Sequence, residues 1–289
     1  MGLKPSRGRN PQGPVKAEGW AGQSISHVVS RSVRDSAAML DATHGPEPGD
    51  AYAAPCQLES FLAQSQREPG VLKIAFSREK WGTGTYQPEV IEGLESTVAL
   101  LQQLGHEVEE AQPGYDAAGT AAALFTVICV NTALAATQRA QELNCTTTEL
   151  DMEFGTRKTM EMGVAVSGEA YAAAIQANQR AGRALGLFHQ HYDVVLAPTL
   201  ASEPIPVGHL LEKPEEYTER LFAFMGDTGL YNQTGQPSLS LPLHWSTNGL
   251  PVGMMFSAAY GDEGVLLSLA AQLEQARPWW DRRPPVYAV

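Results

Sequence analysis

Apolar positions follow two rhythms along the chain. In VLKIAFS (71–77) they run almost unbroken, as in a strand buried on both faces. The next run, PEVIEGLESTVALLQQLG (88–105), sets Val90, Ile91, Leu94, Val98, Leu101 and Leu104 at helical spacing, between Pro88 at the start and Gly105 as the stop. HEVEEA (106–111) then alternates, so strand, helix and strand make a βαβ unit whose crossover is expected to be right-handed. DVVLAPTL (193–200) predicts a third buried strand ending at Pro198. PSLSLPLHW (237–245) and LPVGMMFSAA (250–259) predict two more around the turn STNG, with Pro242 and Pro251 marking edges or bulges.

Between these runs the pattern is helical. SRSVRDSAAMLDATHG (30–45) offers Val33, Ala37, Met39 and Leu40 to one face and stops at Gly45-Pro46. Two alanine- and methionine-rich segments, 117–143 and 146–163, read as helices, and Ser167 begins another that runs through 192. The last helix is DEGVLLSLAAQLEQA (262–276), with Asp262 as its cap. Residues 1–29 are rich in Gly and Pro and read as loop. The reading is a single α/β domain over 1–289, a mixed β-sheet covered by helices.

Composition narrows the function. A 43% hydrophobic chain of 289 residues can bury a sizeable core. Its net charge of −12 argues against a nucleic-acid partner, which needs a cationic face. Lys4, Arg7, Arg9 and Lys16 form one basic cluster, read as a solvated or salt-bridged loop in preference to a phosphate cradle. The three cysteines, Cys56, Cys129 and Cys145, make no disulfide framework or metal spacing. No uninterrupted apolar run reaches the roughly 18 residues of a membrane span, and no signal-peptide core opens the chain, so a cytoplasmic location is expected.

Motifs that announce chemistry are missing. There is no G-x-S-x-G elbow, H-E-x-x-H, C-x-x-C, Walker loop or G-x-G-x-x-G. His189 and His191 stand two apart and so do not share a helix face, which disfavours a metal pair. Ser6 has no adjacent base. The pairs Glu109-Glu110 and Glu215-Glu216 read as solvated surface.

Several segments nonetheless resemble a known family in order and spacing. They are GLKPSRGR (2–9), SRSVRDSAAMLDATHGP (30–46), LKIAF (72–76), LGHEVEEAQP (104–113), DVVLAPTLASEPIPVG (193–208) and the block from YNQTGQP to ARPW (231–279). Together they resemble the C-terminal part of the amidase signature enzymes, in particular the bacterial branch like 6-aminohexanoate cyclic dimer hydrolase. The resemblance implies a helix-covered mixed sheet and hydrolysis of amides by a Ser–cis-Ser–Lys triad, with no cofactor. A lysine of lowered pKa takes the proton of the serine nucleophile, and backbone N–H groups hold the oxyanion.

In that family the lysine, the bridging serine and the G-G-S loop all precede G-L-K-P. This chain has no Gly-Gly pair, and none of its six lysines falls at a matching position; Lys4 belongs to G-L-K-P itself. The resemblance therefore implies no catalytic residue here, and the chain is expected to be a truncated, inactive C-terminal part that shapes the substrate pocket. Two residues are candidates for contact with a small-molecule amide. Cys129, in FTVICVNTA, falls where related hydrolases bring a helix beside the acyl group; its alternative is a plain core cysteine. Asn232, in the N-x-T-G-x-P element, is expected to order its loop by side-chain hydrogen bonds, with direct substrate contact as the alternative. Gly235 and Pro237 would fix a tight turn there, and Arg31, Arg34 and Asp35 would cap and salt-bridge a helix start. The rival readings are a non-catalytic subunit that completes a separate N-terminal half and a small-molecule binding module. An open strand edge left by the missing part predicts association with that part or self-association.

Overall fold

The structure is a computed structural model that describes residues 1–14, 18–81, 84–284 and 286. Lys16 of the basic cluster lies outside the described residues.

After β1 (Gly2–Lys4) the chain makes a long loop and enters α1 (Val33–Thr43) and α2 (Phe61–Ser65). The predicted βαβ unit follows as β2 (Lys73–Phe76), α3 (Pro88–Gln103) and β3 (Glu107–Glu110), and its two strands pair in parallel. Three helices come next: α4 (Ala117–Leu143), α5 (Phe154–Val164) and α6 (Gly168–Phe188). β4 (Val194–Pro198), α7 (Tyr217–Phe224), α8 (Thr228–Thr234), β5 (Ser238–Trp245), β6 (Pro251–Ala258) and α9 (Glu263–Ala276) complete the order. The sheet is mixed, with strand order β1-β5-β6-β4-β2-β3, and the register shift in the β5–β6 ladder falls between Leu241 and His244, beside Pro242.

Side chains alternate across a strand, and here both faces are buried. Ile74, Phe76, Val194, Leu196, Met254 and Phe256 point to one face, packed under α1, α3 and α9. Their neighbours Ala75, Val195, Ala197 and Met255 point to the other, against Ala181 and Leu185 of α6 and Leu230 and Tyr231 of α8. This explains the unbroken apolar runs of β2 and β4.

Beyond α6, the helices α4 and α5 add an outer layer. Their backbones approach so closely that a Cβ on Gly163 would lie 2.0 Å from the carbonyl oxygen of Cys129. By length and a mean hydropathy of 1.7, residues 117–142 of α4 could cross a membrane, which the search for an uninterrupted apolar run does not reveal. In this fold 28% of that window is buried, against α5 and α6, and part of the rest lines a cavity.

The helical segment expected over 146–163 splits into a single turn at 147–149 and α5. The N-x-T-G-x-P element, expected as a tight turn, is instead the end of α8, which Gly235 terminates at φ +84°. Of the two readings of the basic cluster, solvated or salt-bridged, the second holds at Arg9. Arg9 and Glu263 form an almost fully buried pair, with 2.9 Å between Arg9 Nη2 and Glu263 Oε2, tying the first loop to the start of α9. Ser6 is fully buried, its Oγ accepting from the Gly261 N–H at 2.9 Å, so the hydroxyl is structural.

Candidate functional site

Two cavities meet along α4 and α7 to form one trough. The larger, about 430 Å³, is walled by small side chains of α4 (Ala118, Ala121, Ala122 and Cys129), by Met162 of α5 and by Phe222 of α7. Alanines recurring every three or four residues keep this helix face low, which is why a void opens where bulkier residues would fill it. The smaller, about 200 Å³, shares Ala121, Phe125 and Phe222 with the first. Phe125 and Phe222 lie at the junction, ring centroids 5.7 Å apart.

The smaller cavity carries the polar groups. Lys80, Tyr115, Thr120, Asp227 and Gln233 line it. Lys80 Nζ donates to the Phe222 carbonyl at 3.1 Å, and burial lowers its pKa against a smaller opposing pull from Asp227. Asp227 Oδ2 accepts from the Trp81 N–H at 3.1 Å and from the Tyr86 hydroxyl at 2.9 Å. Burial raises the pKa of Tyr86 and Tyr115, reinforced in both by the Asp227 charge, so both phenols stay neutral donors. The trough thus runs from an apolar floor to a rim with one cation, one anion and neutral hydrogen-bonding groups. Such a shape can take an apolar chain with its polar end at the rim.

Cys129 is buried and also lines the larger cavity. Burial raises its pKa, which keeps it a thiol and a weak nucleophile. Asn232 does not join it. It lines a separate cavity of about 260 Å³ beside β1, with Lys4, Thr199, Thr228, Ser238 and Ser240. Asn232 also does not order its loop through its side chain. Among the described residues that side chain makes no hydrogen bond, and the element is held through its backbone, with Arg7 Nη2 donating to the carbonyls of Asn232 at 2.9 Å and Gln233 at 2.7 Å.

Lys4 is the titratable group of this second cavity. Desolvation, with some repulsion from Arg7 and against the pull of Glu263, lowers its pKa to about 7. Its Nζ donates to the Pro5 carbonyl at 2.9 Å and, among the described residues, reaches no serine or threonine hydroxyl. The Thr199 and Ser240 hydroxyls are bonded to each other at 2.7 Å. The R-S-V-x-D helix start is capped by Ser32, whose Oγ accepts from the Asp35 N–H, while Arg34 pairs with Asp35 on the surface and Arg31 donates to the carbonyls of Trp280 and Arg282.

The rim residues Lys80, Tyr115, Asp227 and Gln233 are absent from the sequence-level candidates. They come from three separate elements and share no spacing. Asp227 in MGDTGLY, an acid between glycines before an apolar run, is the one visible trace.

A model of the Amidase family matches residues 1–267. The chain is 33% identical over 299 aligned positions to the 6-aminohexanoate-cyclic-dimer hydrolase of Paenarthrobacter ureafaciens, covering 98% of this chain and 60% of that protein. The enzyme of the same name from Pseudomonas sp. (strain NK87) is 32% identical with the same coverage. A solved structure of 6-aminohexanoate cyclic dimer hydrolase complexed with substrate superposes with a TM-score of 0.86 at 31% identity, covering 98% of this chain and 61% of that one. The chain therefore spans about 60% of the length of the curated relatives it matches.

Proposed function

From the premise that this chain belongs to the amidase family, we propose that it supplies the acyl-binding walls of a hydrolase that cleaves carbon–nitrogen bonds in linear or cyclic amides. The trough along α4 and α7 takes the apolar part of a small-molecule amide, Cys129 lies in its wall, and the neutral donors of the rim meet the amide group. The serine nucleophile and lysine base come from polypeptide outside these 289 residues, in the manner of a C-terminal part joined to its N-terminal complement. Activity needs no cofactor, and the setting is the cytoplasm.

The observation that carries the reading is the trough itself, a long apolar receptacle with a polar rim in which, among the described residues, no lysine is bonded to a serine hydroxyl. The described lysines are engaged elsewhere. Lys73 pairs with Glu109, Lys158 with Glu161 and Lys213 with Glu216, while Lys4 and Lys80 donate to backbone carbonyls. Ser6, which stands beside Arg7 in sequence, is locked to Gly261.

A fluorophosphonate probe tests the absence of a nucleophile. The purified chain is expected to show no labelled serine and no turnover of p-nitroacetanilide or of the cyclic dimer of 6-aminohexanoate. Ligand-observed NMR with hexananilide tests the trough: binding is expected, and Cys129→Trp, which fills the larger cavity, abolishes it. A labelled serine with turnover overturns the first part, and hexananilide binding unchanged in Cys129→Trp overturns the second.

A further inference from the structure

A third cavity, about 360 Å³, opens where α6, the end of α8 and the N-terminal loop meet. Its volume falls at the lower end of the roughly 300–1,000 Å³ of small-molecule sites. Gln233 lines both it and the acyl trough, so one side chain separates them.

The walls hold polar groups whose capacity is unused. Gln233 Nε2 donates to the Thr120 carbonyl at 2.6 Å, an atom that can only accept, and this fixes which way the Gln233 amide points. The same Nε2 lies 2.6 Å from Asn178 Oδ1, so Asn178 keeps its Nδ2 as the leftover donor. That Nδ2, Gln23 Oε1 and Thr234 Oγ1 are buried without a hydrogen-bond partner among the described residues, with Asn178 and Gln23 only 5% and 2% exposed. Arg7 donates through Nε to the Gly22 carbonyl and through Nη2 to the end of α8, leaving Nη1 with no described partner.

Glu18 lines the same cavity, yet among the described residues it forms no ion pair with Arg7. Gly22 keeps the two groups open to the space: a Cβ there would lie 2.4 Å from Glu18 Oε1 and 2.8 Å from Arg7 Nε. A buried polar group left without a partner is costly, so three around one void mark a place where something else completes the bonding.

We propose that this cavity binds a small amino carboxylate, a zwitterion whose carboxylate meets Arg7 Nη1, Asn178 Nδ2 and the Thr234 hydroxyl and whose ammonium meets Glu18 and Gln23 Oε1. The two charged walls are of opposite sign, and so are the two ends of the ligand. A simple carboxylate would answer Arg7 but leave Glu18 and Gln23 Oε1 unmet and face the Glu18 charge. Tyr52 and Tyr171, also in the lining, give an ammonium apolar and aromatic surface. The site does not depend on the acyl trough and stands whether or not that reading does.

The experiment is saturation-transfer NMR and thermal shift on the whole chain with glycine, 4-aminobutyrate, acetate and n-propylammonium as probes. At least one zwitterion is expected to bind with millimolar affinity, and acetate and n-propylammonium about tenfold more weakly. Gln23→Leu and Thr234→Val remove unpartnered polar atoms while nearly keeping shape. They are expected to leave the melting temperature of the unliganded chain unchanged or higher and to cancel the ligand-dependent shift. No zwitterion signal means water alone fills the cavity, and acetate binding as well as the zwitterions means an anion site only. Either result overturns the proposal, as does ligand binding that survives both substitutions.

Discussion

Lys4 carries its charge in a place that solvates it poorly. Its folded pKa near 7 lies well below the ordinary lysine value of about 10.4, with desolvation the main cause. Below pH 7 the side chain is protonated in both states, and the cost of burying the ammonium is fully present. Between about 7 and 10 the unfolded chain holds a proton that the folded chain has released, so stability rises with pH. Lys4→Met is expected to stabilise the chain at neutral pH and to flatten that rise. Urea midpoints of both proteins, measured every half unit from pH 6.5 to 9.5, check this; parallel curves would show that Lys4 stays solvated. Nothing in GLKPSRGR announces the behaviour, because the motif marks a strand while the surroundings of Lys4 include residues over 190 positions away, such as Thr199, Asn232 and Ser238. Cys129 is the opposite case. Its place in an alanine-rich helix is legible from the sequence, while its place in the cavity wall depends on how α5 and α7 pack against α4.

Among the elements, those with many residues in one rhythm are the ones that sequence reading recovers. The strands β2 and β4 and the helices α3, α6 and α9 each bury a face that repeats at its own period, so local pattern and tertiary packing agree. The short helix α8 fails that test. Seven residues with two threonines and a glycine do not hold a helix alone. What holds it is Arg7 on its last carbonyls, 225 positions earlier in the chain, which no sequence window contains. The part of the trough rim at α8, Asp227 and Gln233, is hidden for the same reason.

The α4–α5 contact belongs to this scale too. Gly163→Ala places a methyl 2.0 Å from the Cys129 carbonyl oxygen, a backbone atom that moves only if the helices part. Overpacking of this kind costs about 1–3 kcal/mol. A lower urea midpoint at unchanged slope is the expected result, and a shift below about 0.5 kcal/mol, the ordinary range for a surface change, would show that α5 swings freely.

At the scale of the whole molecule, two surfaces invite association. β1 stands at one edge of the sheet, paired with β5 on one side and, among the described residues, met on the other by the short 29–30 segment, through the Gly2–Val29 bridge and the mutual hydrogen bonds of Met1 and Ser30. On the outer helical layer Leu134, Leu143, Met162 and Val164 are each about half or more exposed, an unusual density of large apolar side chains for one helix pair. Opposing this is the net charge of −12, which repels a second copy at low ionic strength. The balance therefore depends on salt. Screening shortens the repulsion to a Debye length of about 8 Å at physiological ionic strength and leaves apolar contact untouched. The chain is expected to sediment with a weight-average mass that rises with concentration, and more steeply at 0.5 M than at 0.02 M sodium chloride. Leu134→Glu combined with Val164→Glu adds charge and removes apolar area from the helical layer while leaving the edge strand alone. If the helical layer drives association, that variant returns to monomer at both salt concentrations. If the mass stays high, the edge of β1 is the contact, and a Pro substituted at Leu3 abolishes it by removing a backbone donor. A chain that is monomeric at every concentration and salt would mean that neither surface is sticky enough to matter.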